Sequence, residues 1–336
     1  MAKKPVTIKE IAKQLGLSIS TVSRALHGHP SISLLTQQKV KLIAKQLDYE
    51  PNQTAIFFQK GKTFTIGVIL PELAEAFFSS AISAIEDIAY KRNYTVLLAQ
   101  SHDNEDREKQ LVEKMKNHRI DGLLVSVAKT TSNFEHFEQL KKYDIPIVFF
   151  DRIPPLKNIH SVSCNIETGS IEAVNYLLKR GHRSIGLING PHTLIASGQR
   201  KEGYIKALQK NRLKFDPSLI VNCDLTEQGT KIALNQLLNH KREPTAIVTF
   251  NDYVSAFAIK ALSKIKSDIE FVSYANSSVI GFMEHPPIAS VEQFPAIQGQ
   301  KAVDILFDLL NTTENEESQR YYKIVIESQL IESKKD

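Results

Sequence analysis

Between Thr7 and His27 apolar residues recur at Ile8, Ile11, Ala12 and Leu15, the i, i+3, i+4, i+7 spacing that puts them on one face of a helix. Thr7 supplies a hydroxyl for its N-cap and Gly16 a stop. A second helix is predicted from Ser18, with Val22, Ala25 and Leu26 turned inward and Ile19, Ser20, Ser23 and Arg24 outward. Only Gly16 and Leu17 separate the two. Such a pair forms a helix-turn-helix, whose second helix can enter the DNA major groove with its N-terminal side chains against base edges. An amphipathic hairpin packed on another part of the chain shows the same spacing, so the pattern alone leaves both readings open. A polar turn after Gly28 leads to Ser33, the predicted N-cap of a third helix with Leu35, Val40, Leu42, Ile43, Ala44 and Leu47 as its apolar face.

From Thr65 the pattern becomes an alternation of strands and helices. Strands are predicted at 65–70, 95–99, 120–127 and 145–150, with helices at 77–91, 105–118 and 133–142 between them. The alternation then restarts. Strands near 160–164, 184–189, 219–223, 245–250 and 269–274 are separated by helices near 168–180, 197–211, 226–239 and 252–265, and the tail adds a helix at 296–310 and a strand at 321–331. The expected fold is a small all-α headpiece, residues 1–50, followed after a linker at 51–63 by a two-lobed α/β body of doubly wound parallel sheets at 64–336.

Charge separates the headpiece from the rest. Residues 1–62 hold ten Lys or Arg against three Asp or Glu, whereas the whole chain carries only +5. The positive excess lies with the helix pair, as expected of a module that displaces counterions from phosphates. Composition is that of a globular protein, and no apolar run nears the roughly 18 residues of a membrane span. With no apolar stretch after the opening MAKKPV, a cytoplasmic location without a membrane partner is expected. Cys164 and Cys223 lack metal-ligand or C-x-x-C spacing and are expected to be buried thiols. Nor is there a G-x-S-x-G elbow, an H-E-x-x-H pair or a phosphate loop. No enzyme activity, metal or cofactor is expected.

The run V-T-I-K-E-I-A-K-Q-L-G-L-S-x-S-T-V-S-R-A-L from Val6, with Y-x-P-N at Tyr49, Pro51 and Asn52, closely resembles the headpiece of the lac repressor (LacI/GalR) family of bacterial transcription regulators. Weaker markers extend the resemblance along the body: G-H-R-x-I at Gly181–Ile185, R-x-x-G-Y at Arg200–Tyr204, N-D at Asn251–Asp252, and Gln293 with Pro295. The resemblance implies a type I periplasmic-binding-protein-like effector domain, with a first lobe of about 64–160 and 292–320 plus the tail, and a second lobe of about 161–291. It further implies a homodimer on a palindromic double-stranded operator, with affinity controlled by a small-molecule effector, such as a sugar or sugar derivative, in the interlobe cleft. Repression is the family's usual outcome. The polar stretch after Leu310 and the final ESKKD lack leucine heptads, so no tetramerising coiled coil is expected.

The family's base-reading positions fall on Ile19, Ser20 and Arg24. Arg24 can offer a fork to guanine, Ser20 can bond several bases and Ile19 can meet a thymine methyl. Thr7, Ser18, Thr21 and Ser23 suit capping and backbone-phosphate contacts. In the linker, Asn52, Ala55 and Phe58 are the expected DNA contacts. The resemblance implies a short hinge helix there that wedges an apolar side chain into the minor groove. Phe58 stands where the family usually has leucine, and Ile56 where it has arginine.

Open α/β sheets bind ligands at the carboxyl ends of their strands. That rule points to Phe77, Phe78, Ser101, Ser126, Asp151 and Arg152 in the first lobe; the resemblance adds Asn165, Ser197, Arg200, Asn251, Asp252, Asn276 and Gln293. Phe78 also fits a core position, and Asp252 a helix N-terminal charge. Where many members of the family carry Asp after the strand ending near Ser273, this chain has Ala275 and Asn276. A hydroxyl acceptor is thereby lost from the expected site.

Overall fold

The structure is a computed structural model that describes residues 6–50, 61–263, 268–312 and 320–333. The chain divides into two compact units, Met1–Thr63 and Phe64–Asp336.

In the first unit, α1 (Ile8–Leu15), α2 (Ile19–Leu26) and α3 (Leu34–Gln46) close a core of Ile11, Ala12, Val22, Ala25, Val40 and Ala44. The caps are where the sequence places them. The Thr7 backbone N–H donates to Glu10 at 2.6 Å, Ser18 Oγ accepts from the Thr21 N–H at 3.1 Å, and Ser33 Oγ accepts from the Thr36 N–H at 3.2 Å. Gly16 ends α1 at φ 62°, the left-handed backbone that glycine adopts without a Cβ clash. The apolar face expected of α3 needs correction, because Leu35 and Leu42 stand 64% and 57% exposed. Its buried stripe is Gln37, Val40 and Ala44, at i, i+3 and i+7. Gln37 is tolerated inside because Nε2 donates to the Ile32 and His29 carbonyls at 2.9 and 3.2 Å, which pins the preceding turn.

In the second unit the chain runs β1 (Thr65–Leu70), α4 (Ala76–Lys91), β2 (Thr95–Gln100), α5 (Glu105–Asn117), β3 (Gly122–Val125), α6 (Glu135–Glu138) and β4 (Ile147–Phe150). It continues through β5 (His160–Asn165), α7 (Ile166–Lys179), β6 (Ile185–Asn189), α8 (Ile195–Lys210), β7 (Ile220–Asn222), α9 (Glu227–Leu238) and β8 (Ala246–Thr249). Then come α10 (Asp252–Leu262), β9 (Glu270–Tyr274), β10 (Ala289–Glu292), α11 (Pro295–Asn311), β11 (Lys323–Glu327) and β12 (Gln329–Glu332). Two six-stranded sheets result, ordered β11-β5-β4-β3-β1-β2 and β12-β10-β9-β8-β6-β7. Every pairing is parallel except β10 with β12. Helices cover both faces, so β1 is buried along its whole length after Thr65. α11 lies directly on α4: a Cβ on Gly299 would stand 2.4 Å from the Ala81 carbonyl oxygen.

Two expectations change here, and one strand is added. The strand near 160–164, expected in the second lobe, is β5 of the first sheet, where Val148 registers with His160. Its apolar pattern suits either sheet, and only the pairing decides. The tail, expected as one strand in the first lobe, breaks at Ser328 into β11, beside β5, and β12, which returns antiparallel to β10 in the second sheet. β10, four residues that alternate apolar and polar, is a strand absent from the expected set. The chain therefore passes between lobes after Asn165, after Glu292 and at Ser328, whose hydroxyl donates to the Asn165 carbonyl at 2.8 Å.

At the amino end of β9 Glu270 accepts Arg180 Nε at 2.8 Å and Nη2 at 2.7 Å, with His182 Nε2 at 2.8 Å. These bonds, the arginine's first, hold its carboxyl at about 2. A depressed folded-state pKa adds stability that is full above the ordinary glutamate pKa of about 4.3 and is lost as pH falls through the folded value. The difference in urea midpoint between wild type and Glu270→Gln is therefore expected to be constant near neutrality and to shrink from pH 5 downward. A difference independent of pH would show that the carboxylate's charge contributes nothing.

Candidate functional site

On the headpiece α2 leaves Ile19 46% exposed, and Ser20 and Arg24 exposed beside it. Ser18 is held as a cap, with Oγ 2.8 Å from both Ser20 Oγ and Thr21 Oγ1. Thr7 and Glu10 close the start of α1, and the Ser23 carbonyl lies 2.8 Å from His27 Nδ1. The surface thus offers an apolar contact, a hydroxyl and a guanidinium in two successive turns. Asn52, Ala55 and Phe58, with Ile56 and Phe57, lie outside the described residues.

In the second unit a cleft of about 680 Å³ opens between the lobes. Eight of the residues singled out from sequence line it: Phe77 and Phe78 at the start of α4, Asp151 and Arg152 after β4, Arg200 on α8, Asn251 and Asp252 at the start of α10, and Gln293 after β10. The strand-to-helix turns that carry them all face the same gap, as the carboxyl ends of parallel strands do. Phe78 is 1% exposed, both a core residue and part of the wall. The two rings, Phe77 and Phe78, meet edge to face at 5.3 Å.

Five others do not line it. Ser101 is buried under β1, its hydroxyl donating to Leu70 O at 3.4 Å. Ser126 stands behind the wall and donates to Asp151 at 3.3 Å. Asn165 is the cap of α7 and its Nδ2 is bound to Glu327. Ser197 is 2% exposed inside the second lobe. Asn276 is turned to Glu292, 3.0 Å away. Ser126, Asn165, Ser197 and Asn276 each adjoin a lining residue, and the polar groups of the five are claimed by their neighbours, except that Ser197 Oγ has no hydrogen-bond partner among the described residues. Sequence reasoning in turn missed Glu75, Phe134, Phe250, Tyr253, Tyr321 and Lys323. Phe250 and Tyr253 adjoin residues that were identified, and Glu75 stands two residues before Phe77. Tyr321 and Lys323 stand at the amino end of β11, where the strand-end rule does not point.

Polar chemistry in the cleft is concentrated in four groups. Arg200 is 2% exposed, its guanidinium stacked 4.0 Å from the Phe250 ring centre and 4.3 Å from that of Tyr274. Burial brings it down to about 10, and Nε has no hydrogen-bond partner among the described residues. Such a donor is costly to leave unmet and is a ready anchor for a ligand oxygen. Asp151, at φ 60°, is pushed above the usual carboxylate range by burial, against the pull of Arg152 and Arg200. Glu75 is raised by burial as well. Arg152 is already engaged, Nη1 donating to Asp103 at 2.5 Å.

Asp252 is a structural residue as well as a wall residue. One carboxylate oxygen accepts the Ser273 hydroxyl and, at 3.2 Å, that of Ser290; the other accepts the Ser277 N–H at 2.7 Å. Asp252→Ala would strand these groups, and the second lobe is expected to lose about 1 to 3 kcal/mol. A thermal midpoint equal to wild type would contradict that role.

Among the described residues no cluster of His, Cys, Asp or Glu could hold a metal ion, and no helix is long and apolar enough to cross a membrane. Both cysteines are free and buried.

A helix-turn-helix headpiece followed by a two-lobed α/β body with a ligand-sized cleft defines a DNA-binding regulator of transcription rather than an enzyme. The profile of bacterial regulatory proteins of the lacI family matches residues 7–52, and that of periplasmic binding proteins and the sugar-binding domain of the LacI family matches 63–334. Catabolite control protein A of Priestia megaterium is 30% identical over 311 residues, covering 91% of this chain and 93% of that protein. The HTH-type transcriptional repressor PurR of Histophilus somni (strain 2336) is 28% identical over 326 residues, covering 95% and 97%. Among solved structures, the lac repressor dimer bound to operator and an anti-inducer superposes with a TM-score of 0.82 at 24% identity over 98% of both chains. The complex of the regulator CelR with cellobiose gives 0.72 at 24%, covering 97% and 98%. The chain belongs to the LacI family.

Proposed function

We propose that this protein is a repressor that binds a palindromic operator as a homodimer, with its affinity set by a small-molecule effector held in the interlobe cleft. The observation that carries this reading is the cleft itself, where the buried, unmet Nε of Arg200 lines the same space as Asp151, Glu75 and the Phe77 ring. A donor and two acceptors around an aromatic wall suit a polyhydroxylated ring such as a sugar or a sugar derivative. The CelR complex with cellobiose supports that class. Ala275 and Asn276, where many relatives have a carboxylate, move hydroxyl recognition toward the first-lobe wall.

Base reading falls to Ile19, Ser20 and Arg24, with Thr7, Ser18, Thr21 and Ser23 on the backbone. In this reading Asn52, Ala55 and Phe58 complete the DNA contact. The coupling is two-state: the effector favours one arrangement of the lobes, and that arrangement sets whether the paired linkers can engage DNA. Selection of bound sites from random duplex DNA at near-physiological salt tests the regulator half. A recovered palindrome is expected; retention of DNA without sequence preference, with or without metabolite extracts, would leave only phosphate binding.

A further inference from the structure

We propose that Asp103 is a positioning residue that couples Arg152 in the cleft to a latch between the lobes. Sequence reasoning gave this residue no role. Its carboxylate is shared: Oδ1 accepts Arg152 Nη1 at 2.5 Å and the Lys129 N–H at 2.9 Å, and Oδ2 lies 3.5 Å from Lys129 Nζ. The backbone carbonyl of Asp103 also accepts Thr130 Oγ1 at 2.8 Å. One side chain thus fixes both Arg152 of the cleft wall and the loop that follows β3.

That loop reaches across the cleft. Lys129 Nζ donates to the Asp224 carbonyl at 3.0 Å, and the Lys129 carbonyl accepts Thr193 Oγ1 at 2.7 Å; both partners belong to the second lobe. A third bond, Tyr253 Oη to the Ala74 carbonyl at 3.1 Å, spans the gap from α10 to the loop before α4. The backbone at the hub is strained to match. His102 and Asp103 stand in succession at φ 50° and 57°, a left-handed pair without glycine, which persists only where surrounding contacts hold it. An occupant that draws the Arg152 fork therefore changes what Asp103 offers Lys129, and closing of the lobes changes Arg152 in return, as linkage requires. The occupancy half rests on the cleft being the effector site; the latch half does not.

The test uses a thiol already in the cleft. Cys164 lines it and is 4% exposed, its thiol pushed up to about 12 by burial, so it reacts slowly while the lobes are closed. In full-length protein carrying Cys223→Ser, the rate of modification by 5,5′-dithiobis(2-nitrobenzoate) reports opening. Asp103→Asn, Thr193→Val and Lys129→Met are each expected to raise the rate roughly tenfold or more, by populating an opened state. Asp106→Asn, a change of the same kind on exposed α5, is expected to leave it unaltered, and thermal midpoints monitor the fold throughout. If the Thr193 and Lys129 variants open the cleft and Asp103→Asn does not, the latch stands and the positioning role of Asp103 is overturned. If all three react at the wild-type rate, or rise only with the Asp106 control, the latch is overturned too.

Discussion

Replacing Arg24 with alanine is expected to weaken specific operator binding by about 1 to 3 kcal/mol and to relax preference at one position of each half-site. The guanidinium leaves α2 at its last turn, exposed, on the same face as Ile19 and Ser20. It touches none of the headpiece core, so the substitution removes a contact and not a fold. A guanine contact and a phosphate contact differ in outcome: loss of the first changes the selected sequence, whereas loss of the second lowers affinity for all sequences alike and reduces the salt slope. Competition between the selected operator and single-base variants separates them. Unchanged affinity would remove Arg24 from the interface.

Arg200→Met is expected to abolish the effector response while leaving ligand-independent operator affinity within about twofold, since hydrogen bonds to charged groups contribute about 1.5 to 3 kcal/mol each. Methionine keeps much of the apolar stem between Phe250 and Tyr274 and deletes the buried fork. Arg200→Lys keeps the charge but not the planar geometry, and is expected to retain little of the response. Titration of operator with and without effector reads both. A full response in the methionine variant would contradict the role given to Nε.

The headpiece was legible because its signals are local: caps at Thr7, Ser18 and Ser33 and a glycine stop are written in adjacent residues. The alternation of the body was legible for the same reason. Which sheet takes a strand is not local, so β5 and the two halves of the tail could not be assigned to their lobes from pattern alone. In the cleft, strand-end reasoning led to Asp151 and to Phe77, whose positions follow from chain direction. It could not separate Ser126, one layer behind the wall, from Asp151 in front of it, because that depends on which polar group the neighbours have already claimed. Nor could it find Asp103, whose importance comes from Arg152 and Lys129 meeting on one carboxylate from far apart in sequence.

The central claim is that cleft and operator are coupled. The measurement that tests it most directly is the dissociation constant of the selected operator with and without a small molecule shown calorimetrically to bind the full-length protein, together with the affinity of that molecule with and without operator. The account predicts that each changes the other by the same factor, in the range of about 5- to 150-fold. A molecule that binds the wild-type cleft, requires Arg200 and leaves operator affinity unchanged would contradict it.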